Sequence, residues 1–173
     1  MTIRVVVADD QTAVREGLAL LLGLLDDVSV VGSAADGEEA ARLVAQHGAD
    51  VVLMDLRMPR CDGVTATARI RAEHPDTQIV VLTTYAEDAD ILAALRAGAL
   101  GYLTKDAGRA QIAAAVRAAA GGQSVLDPQV QQRLPDPRAR LVERRGHCPQ
   151  RRLEREQGRD DLDHVEKPGT DGS

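Results

Sequence analysis

No phenylalanine and no tryptophan occur in the 173 residues, and tyrosine occurs twice, at Tyr85 and Tyr102. Stacking platforms for nucleobases or a flavin need aromatic faces, so ligands of that class are nearly excluded. Cysteine is equally scarce. Cys61 and Cys148 alone cannot make a disulfide framework or a cysteine-based zinc site. No run approaches the ~20 consecutive apolar residues of a membrane span. Met1-Thr2-Ile3-Arg4 lacks a secretory pattern, so the cytoplasm is the expected location. An excess of positive charge is also missing: the net charge of -6 argues against nucleic-acid binding as the main activity of the whole chain. Lysine occurs only at Lys105 and Lys167, with arginine at every other basic position.

What is present is unevenly distributed. Residues 127–173 hold nine apolar residues out of 47, whereas about half of residues 1–126 are apolar. The tail carries 10 acidic and 10 basic residues, so the first 126 residues account for the whole negative charge. The composition predicts an acidic globular domain followed by a polar, disordered tail, and the helical pattern stops near Gly121-Gly122, which places the domain over 2–122 and a linker remnant and tail over 123–173.

Within the apolar part, five short runs recur: Ile3 to Ala8, Val28 to Gly32, Val51 to Met54, Ile79 to Leu82 and Leu100 to Leu103. Each is too short for a helix and apolar on both faces, as strands inside a parallel sheet are. Helical stripes fill the gaps: Val14, Leu18, Leu21 and Leu25; Ala40, Leu43, Val44 and His47; Ile91, Leu92 and Leu95; Ile112, Val116 and Ala119. A weaker pattern from Val64 to Ala72 follows the turn signal Asp62-Gly63. Alternating strands and helices predict an α/β fold with a five-stranded, doubly wound parallel sheet, flavodoxin-like, of strand order 2-1-3-4-5.

Ligands of open parallel sheets bind beyond the carboxyl ends of the strands. There the chain places Asp9 and Asp10 after the first strand, Asp55 after the third, Thr83 and Thr84 at the end of the fourth, and Thr104 and Lys105 after the fifth. Clustered carboxylates repel one another unless a cation neutralises them. Oxygen ligands with open positions suit Mg²⁺. A carboxylate in such a site can attack phosphorus, while a lysine and a hydroxyl share the charge of the transferring group. Taken singly, Asp10 and Thr12 are also candidate N-caps of the first helix, Thr83 a strand-end hydroxyl and Lys105 a surface lysine. Their joint placement at four strand ends favours one site.

The ordered motifs Val5-Val6-Val7-Ala8-Asp9-Asp10, Val52-Leu53-Met54-Asp55-Leu56-Arg57-Met58-Pro59, Asp62-Gly63, Val81-Leu82-Thr83-Thr84-Tyr85 and Ala97-Gly98-Ala99-Leu100-Gly101-Tyr102-Leu103-Thr104-Lys105-Asp106 resemble the receiver domain of bacterial two-component response regulators over residues 2–122. The resemblance implies that Asp55 accepts a phosphoryl group from a sensor histidine kinase. It implies that Asp9, Asp10, Asp55 and the backbone carbonyl of Arg57 hold Mg²⁺, with Asp9 acting largely through water. Thr83 and Lys105 would each bond a phosphoryl oxygen. Tyr102 would be the switch aromatic, turning inward when Thr83 moves and altering the face formed by the fourth helix, fifth strand and fifth helix. A half-buried strand tyrosine is the plainer alternative. The protein would then be a switch rather than an enzyme, at most phosphorylating itself from small donors and losing the group by autodephosphorylation.

Thr83-Thr84-Tyr85, Leu95-Arg96-Ala97-Gly98-Ala99, Asp106 after Lys105, and Ser124-Val125-Leu126-Asp127-Pro128 are similar to the NarL/LuxR-type branch. Full-length members of that branch regulate transcription through a C-terminal helix-turn-helix that binds DNA as a dimer. Homodimerisation on phosphorylation is therefore expected, and DNA as a partner only with an output domain. Residues 131–173 are too few and too polar to build one, and the arginine-rich stretch 138–155 is offset by the acidic residues after it. One explanation is an out-of-frame translation, which fails if neither other frame of the gene encodes a helix-turn-helix pattern. The other is a single-domain receiver with a disordered extension. Two further classes are open to such a chain: a partner-binding pseudo-receiver, and an aspartyl-phosphate hydrolase. The hydrolase would need a carboxylate where Arg57 stands. Cys61 reads as loop filler rather than a redox sensor, and His147, Cys148 and His164 match no metal-site spacing.

Overall fold

The computed structural model describes residues 1–84 and 87–126. Tyr85, His147, Cys148, His164 and the expected tail from 127 onward lie outside the described residues. Elements alternate through β1 (Ile3–Ala8), α1 (Thr12–Gly23), β2 (Val28–Ala34), α2 (Gly37–His47), β3 (Val51–Met54), α3 (Gly63–Glu73), β4 (Gln78–Thr83), α4 (Asp88–Ala97), β5 (Gly101–Thr104), α5 (Arg109–Ala120) and β6 (Val125–Leu126). The sheet is wholly parallel, in the order β2-β1-β3-β4-β5-β6. The expected order 2-1-3-4-5 is present, with a sixth strand added at the β5 edge. That strand pairs Val125 with Gly101 and Leu126 with Tyr102. Its close approach uses Gly101, where a Cβ would sit 2.9 Å from the Val125 carbonyl oxygen.

Alternation along the strands explains why the central strand β3 is apolar throughout, and why β1 and β4 are apolar except near their ends. Val6, Ala8, Val52, Met54, Ile79, Val81 and Tyr102 pack with residues of α2, α3 and α4 in one cluster. Val5, Val7, Val51, Leu53, Val80, Leu82 and Leu103 pack with residues of α1 and α5 in the other. Successive side chains point to opposite faces, so a strand covered by helices on both sides needs apolar residues at every position.

Local signals set the helix ends. Asp36 accepts from the Glu39 N–H at 2.9 Å and caps α2, and Asp62 accepts from the Thr65 N–H at 2.7 Å and caps α3. Gly48 (φ +57°) and Gly98 (φ +110°) end α2 and α4 in the left-handed region. The alternative reading of Asp10 or Thr12 as caps of α1 is not met. Neither Asp10 nor Thr12 caps it. Gln11 takes the N-cap position without a side-chain bond, and Asp9 Oδ1 accepts the Gln11 N–H instead, at 2.9 Å. Among the described residues, no helix is long and apolar enough to cross a membrane.

Candidate functional site: an acidic pocket at the carboxyl edge of the sheet

The central strands β1 and β3 deliver the site. Asp9 follows β1, its N–H bonded to the Ala34 carbonyl at 3.0 Å, and Asp55 follows β3, its N–H bonded to the Ala8 carbonyl at 2.8 Å. Both are buried, at 2% and 5% exposure, while Asp10 is exposed. Carboxylate oxygens of Asp9, Asp10 and Asp55 lie within 4.8 Å of one another. From the end of β5, the Lys105 ammonium reaches Asp9 Oδ2 at 2.7 Å and Asp55 Oδ2 at 3.1 Å. The Lys105 main chain is held by its N–H on the Thr83 carbonyl at 3.0 Å.

Charge in this pocket is unbalanced. Three carboxylates against one ammonium leave these four side chains with a formal charge of -2. Burial raises the Asp55 carboxyl above the usual carboxylate range; Lys105 pulls it down, Asp9 pushes it up, and a hydrogen bond from the Arg57 N–H lowers it, with burial prevailing. Desolvation works against the Lys105 ammonium, but Asp9 and Asp55 outweigh it and hold Lys105 above its ordinary value. Lys105 therefore stays charged and Asp55 stays accessible to protons more readily than a surface aspartate.

The donor set fits a hard divalent cation: oxygen donors only, two of them buried and one open to water, with a charge deficit matching the ion. A soft-metal site is not built here, since Cys61 is the free cysteine among the described residues and burial pushes its thiol pKa up. That shift also agrees with Cys61 as loop filler, because a reactive cysteine needs a lowered pKa.

Other expected residues take different places. Thr83 ends β4, is 3% exposed, and pairs in register with Thr104. Arg57 is exposed at the start of the β3–α3 loop, its guanidinium 3.6 Å from Asp90 at the start of α4. Thr84 is exposed. Tyr102 lies outside the carboxylate cluster, on β5. It is fully buried at 2% exposure among the α2–α4 side of the core, which corrects the half-buried alternative. An aromatic ring in a strand between two helical layers has nowhere half-exposed to go once β6 covers the edge beside it.

The sequence reading missed the groups that shape the loops. A Cβ on Gly63 would lie 2.1 Å from the Asp55 carbonyl oxygen, so α3 can start against the end of β3 only with glycine there. Gly37 is similarly closed in by Ala66, Cys61 Sγ and the Cys61 carbonyl, and its N–H donates to that carbonyl at 3.0 Å. Buried Asp36 pairs with Arg60, whose backbone has φ +64°. Asp62-Gly63 was visible as a turn; the steric need for glycine was not. Arg15, whose guanidinium donates to the Asp9 carbonyl at 2.6 Å, carried only the signal of standing five residues after Asp10.

A wholly parallel α/β sheet with clustered acids after β1 and β3 and a lysine after β5 defines the class: a doubly wound domain with a charged pocket at the carboxyl edge of its sheet. Comparison with known proteins agrees: the response regulator receiver domain family matches residues 5–117. The chain belongs to that family. It is 43% identical over 124 residues to the uncharacterized transcriptional regulatory protein YxjL of Bacillus subtilis, covering 72% of this chain and 57% of YxjL. The receiver domain of the putative response regulator NarL from Mycobacterium tuberculosis superposes with a TM-score of 0.68 at 40% identity, covering 70% of this chain and 98% of that one. A structure of two RcsB dimers bound to two parallel DNAs matches with a TM-score of 0.70 at 26% identity, over 83% of this chain and 76% of RcsB. The relatives are NarL/LuxR-type response regulators, and the chain spans about six-tenths of the length of the curated ones it matches.

Proposed function

We propose that Asp55 is the phosphoryl acceptor of a two-component signalling protein, receiving the group from a phosphohistidine of a sensor kinase. The observation that carries this reading is the sharing of one lysine ammonium by two buried carboxylates beside a third, exposed one. An Asp55 carboxylate oxygen forms the new bond to phosphorus as the P–N bond to the histidine breaks. The electron pair leaves with the imidazole nitrogen, which takes up a proton. Mg²⁺, when bound, supplies positive charge to the transferring phosphoryl oxygens. Asp9, Asp10, Asp55 and the Arg57 carbonyl are the residues that would hold it.

Lys105 stands where a phosphoryl oxygen on Asp55 can take its ammonium in place of the carboxylate oxygen it bonds in this structure. Thr83, at the neighbouring strand end, would offer its hydroxyl to another. With Tyr102 on the adjacent strand, it would relay the modification to the face of α4, β5 and α5 by shifting a pre-existing equilibrium. Homodimerisation, transcriptional output, DNA contact through an output domain, and a cytoplasmic setting follow from the relatives and remain part of this proposal. Hydrolytic turnover of an outside substrate is not favoured, because Arg57 gives no second carboxylate for acid–base work.

The test is intact mass after incubation with a small phosphodonor and Mg²⁺, for the wild type and Asp55→Ala. One Mg²⁺-dependent phosphoryl adduct, absent from the variant, supports the reading. A folded wild type that gains none contradicts it and favours a pseudo-receiver.

A further inference from the structure

Helix α1 begins two residues after Asp10, yet it lacks the usual side-chain cap. The turn between β1 and α1 therefore needs other restraints, because its direction sets where Asp9 and Asp10 present their carboxylates. Asp9 is held at three points: Oδ1 by the Gln11 N–H at 2.9 Å, Oδ2 by Lys105 at 2.7 Å, and the main-chain carbonyl by Arg15 at 2.6 Å. Arg15 itself is anchored one turn into α1, its N–H on the Gln11 carbonyl at 3.0 Å and its second guanidinium nitrogen 3.3 Å from Thr12 Oγ1. The side chain thus ties the first turn of the helix back to the last peptide of the strand. The peptide it grips is the one joining Asp9 to Asp10.

We infer that Arg15 is a positioning residue for the cation site, fixing the Asp9–Asp10 peptide so that the exposed Asp10 carboxylate converges with Asp9 and Asp55. This rests on the proposed reading of the pocket as a Mg²⁺ site. Arg15 needs no contact with the ion or with the phosphoryl group for this role. The inference has a sign that separates it from a through-space effect of charge. A guanidinium near a cation site repels the cation, so on electrostatics alone its removal would tighten Mg²⁺ binding. Removal of a positioning group loosens it.

The experiment is titration calorimetry of Mg²⁺ into the full chain, with thermal unfolding of each protein in parallel. The proteins are wild type, Arg15→Ala, Arg15→Lys and Arg117→Ala. Arg117→Ala breaks a bidentate, exposed pair with Asp27 (2.7 and 2.8 Å) and serves as an arginine deletion away from the pocket. Loss of a supporting bond of this kind is expected to raise the Mg²⁺ dissociation constant about ten-fold in Arg15→Ala. Arg15→Lys keeps the charge and one donor, and should fall between, at about three-fold. Arg117→Ala should bind as the wild type does. Labelling at saturating Mg²⁺ should recover most of its rate in Arg15→Ala, because the defect is in holding the ion.

Unchanged or tighter binding in a folded Arg15→Ala overturns the inference. If that variant fails to fold, Arg15→Lys decides: a raised constant at an unchanged unfolding midpoint supports positioning, and a wild-type constant overturns it. A folded wild type that takes up no Mg²⁺ overturns the inference together with the reading of the pocket, whereas normal wild-type binding with a normal Arg15→Ala overturns the inference alone.

Discussion

Asp50 and Asp55 stand at the two ends of one strand, β3, and have opposite surroundings. Asp50, at the amino end, has an arginine to itself: Arg4 donates through its main-chain N–H at 2.8 Å, Nε at 3.1 Å and Nη2 at 2.9 Å. Arg4 also bonds the His47 carbonyl at the end of α2. Hydrogen bonds from Arg4 hold the Asp50 carboxyl below the usual range. Asp55, at the carboxyl end, is more deeply buried, shares Lys105 with Asp9, and has its carboxyl raised, chiefly by burial. One edge of the sheet uses its charges to close the fold, and the other keeps a deficit of positive charge. Such a deficit is what the proposed cation and phosphoryl group would fill, because the same groups would be better paired if they served stability alone.

The comparison can be broken most severely through glycine. Gly63→Ala places a Cβ against the Asp55 carbonyl, an immovable backbone atom, and should destabilise the fold by about 3 kcal/mol or more. Gly48→Ala at the other edge meets only the flexible end of Arg4 and should cost about 1 kcal/mol, mainly for its φ of +57°. Urea unfolding of the two variants measures both; equal losses would mean the carboxyl end of β3 is no more tightly approached than the α2 end.

A smaller contrast is expected from charge. Asp55→Asn should raise the unfolding midpoint at pH 7 without Mg²⁺, by a few degrees for about 1 kcal/mol, because it removes one of three crowded carboxylates. Asp50→Asn should lower it, by about 0.5 kcal/mol once solvent screening of this half-exposed pair is allowed for. Added Mg²⁺ should stabilise the wild type and Asp50→Asn, but not Asp10→Asn, in differential scanning calorimetry. A response unchanged in Asp10→Asn would place the ion elsewhere.

The mildest test uses pH. The folded-state pKa of Asp55 is raised, so its contribution is fully present below the unfolded pKa and is lost as pH rises through the folded value. That of Asp50 is depressed, so its contribution is present above the unfolded pKa and is lost as pH falls through the folded value. Stability measured across the acid range should therefore flatten at its low end in Asp50→Asn, and should fall less on rising from the acid range toward neutrality in Asp55→Asn. Parallel curves would erase the distinction between the two edges.

Much of this was legible in the residues. Asp9 and Asp55 directly follow apolar residues and Lys105 stands one threonine beyond such a run, so their place at strand ends could be read directly. All five expected strands begin and end within two residues of the observed ones, because their apolar residues cluster tightly between polar turns and helix starts. The unread parts have physical reasons. Strand β6 is two residues long, too short for any pattern, and exists because Gly101 admits it. The candidate caps Asp10 and Thr12 leave α1 uncapped because Asp9, not its neighbours, turns its side chain back to the Gln11 N–H. Arg15 looks like any helix-surface arginine until the chain brings its guanidinium onto a carbonyl six residues earlier.

The central claim is that Asp55, and no other carboxylate of this crowded pocket, takes the phosphoryl group. Labelling with a small phosphodonor and Mg²⁺, borohydride reduction of the acyl phosphate, and peptide mapping by mass would locate it. The account predicts a single modified position, Asp55. Modification at Asp9 or Asp10, or none in folded protein, would contradict it.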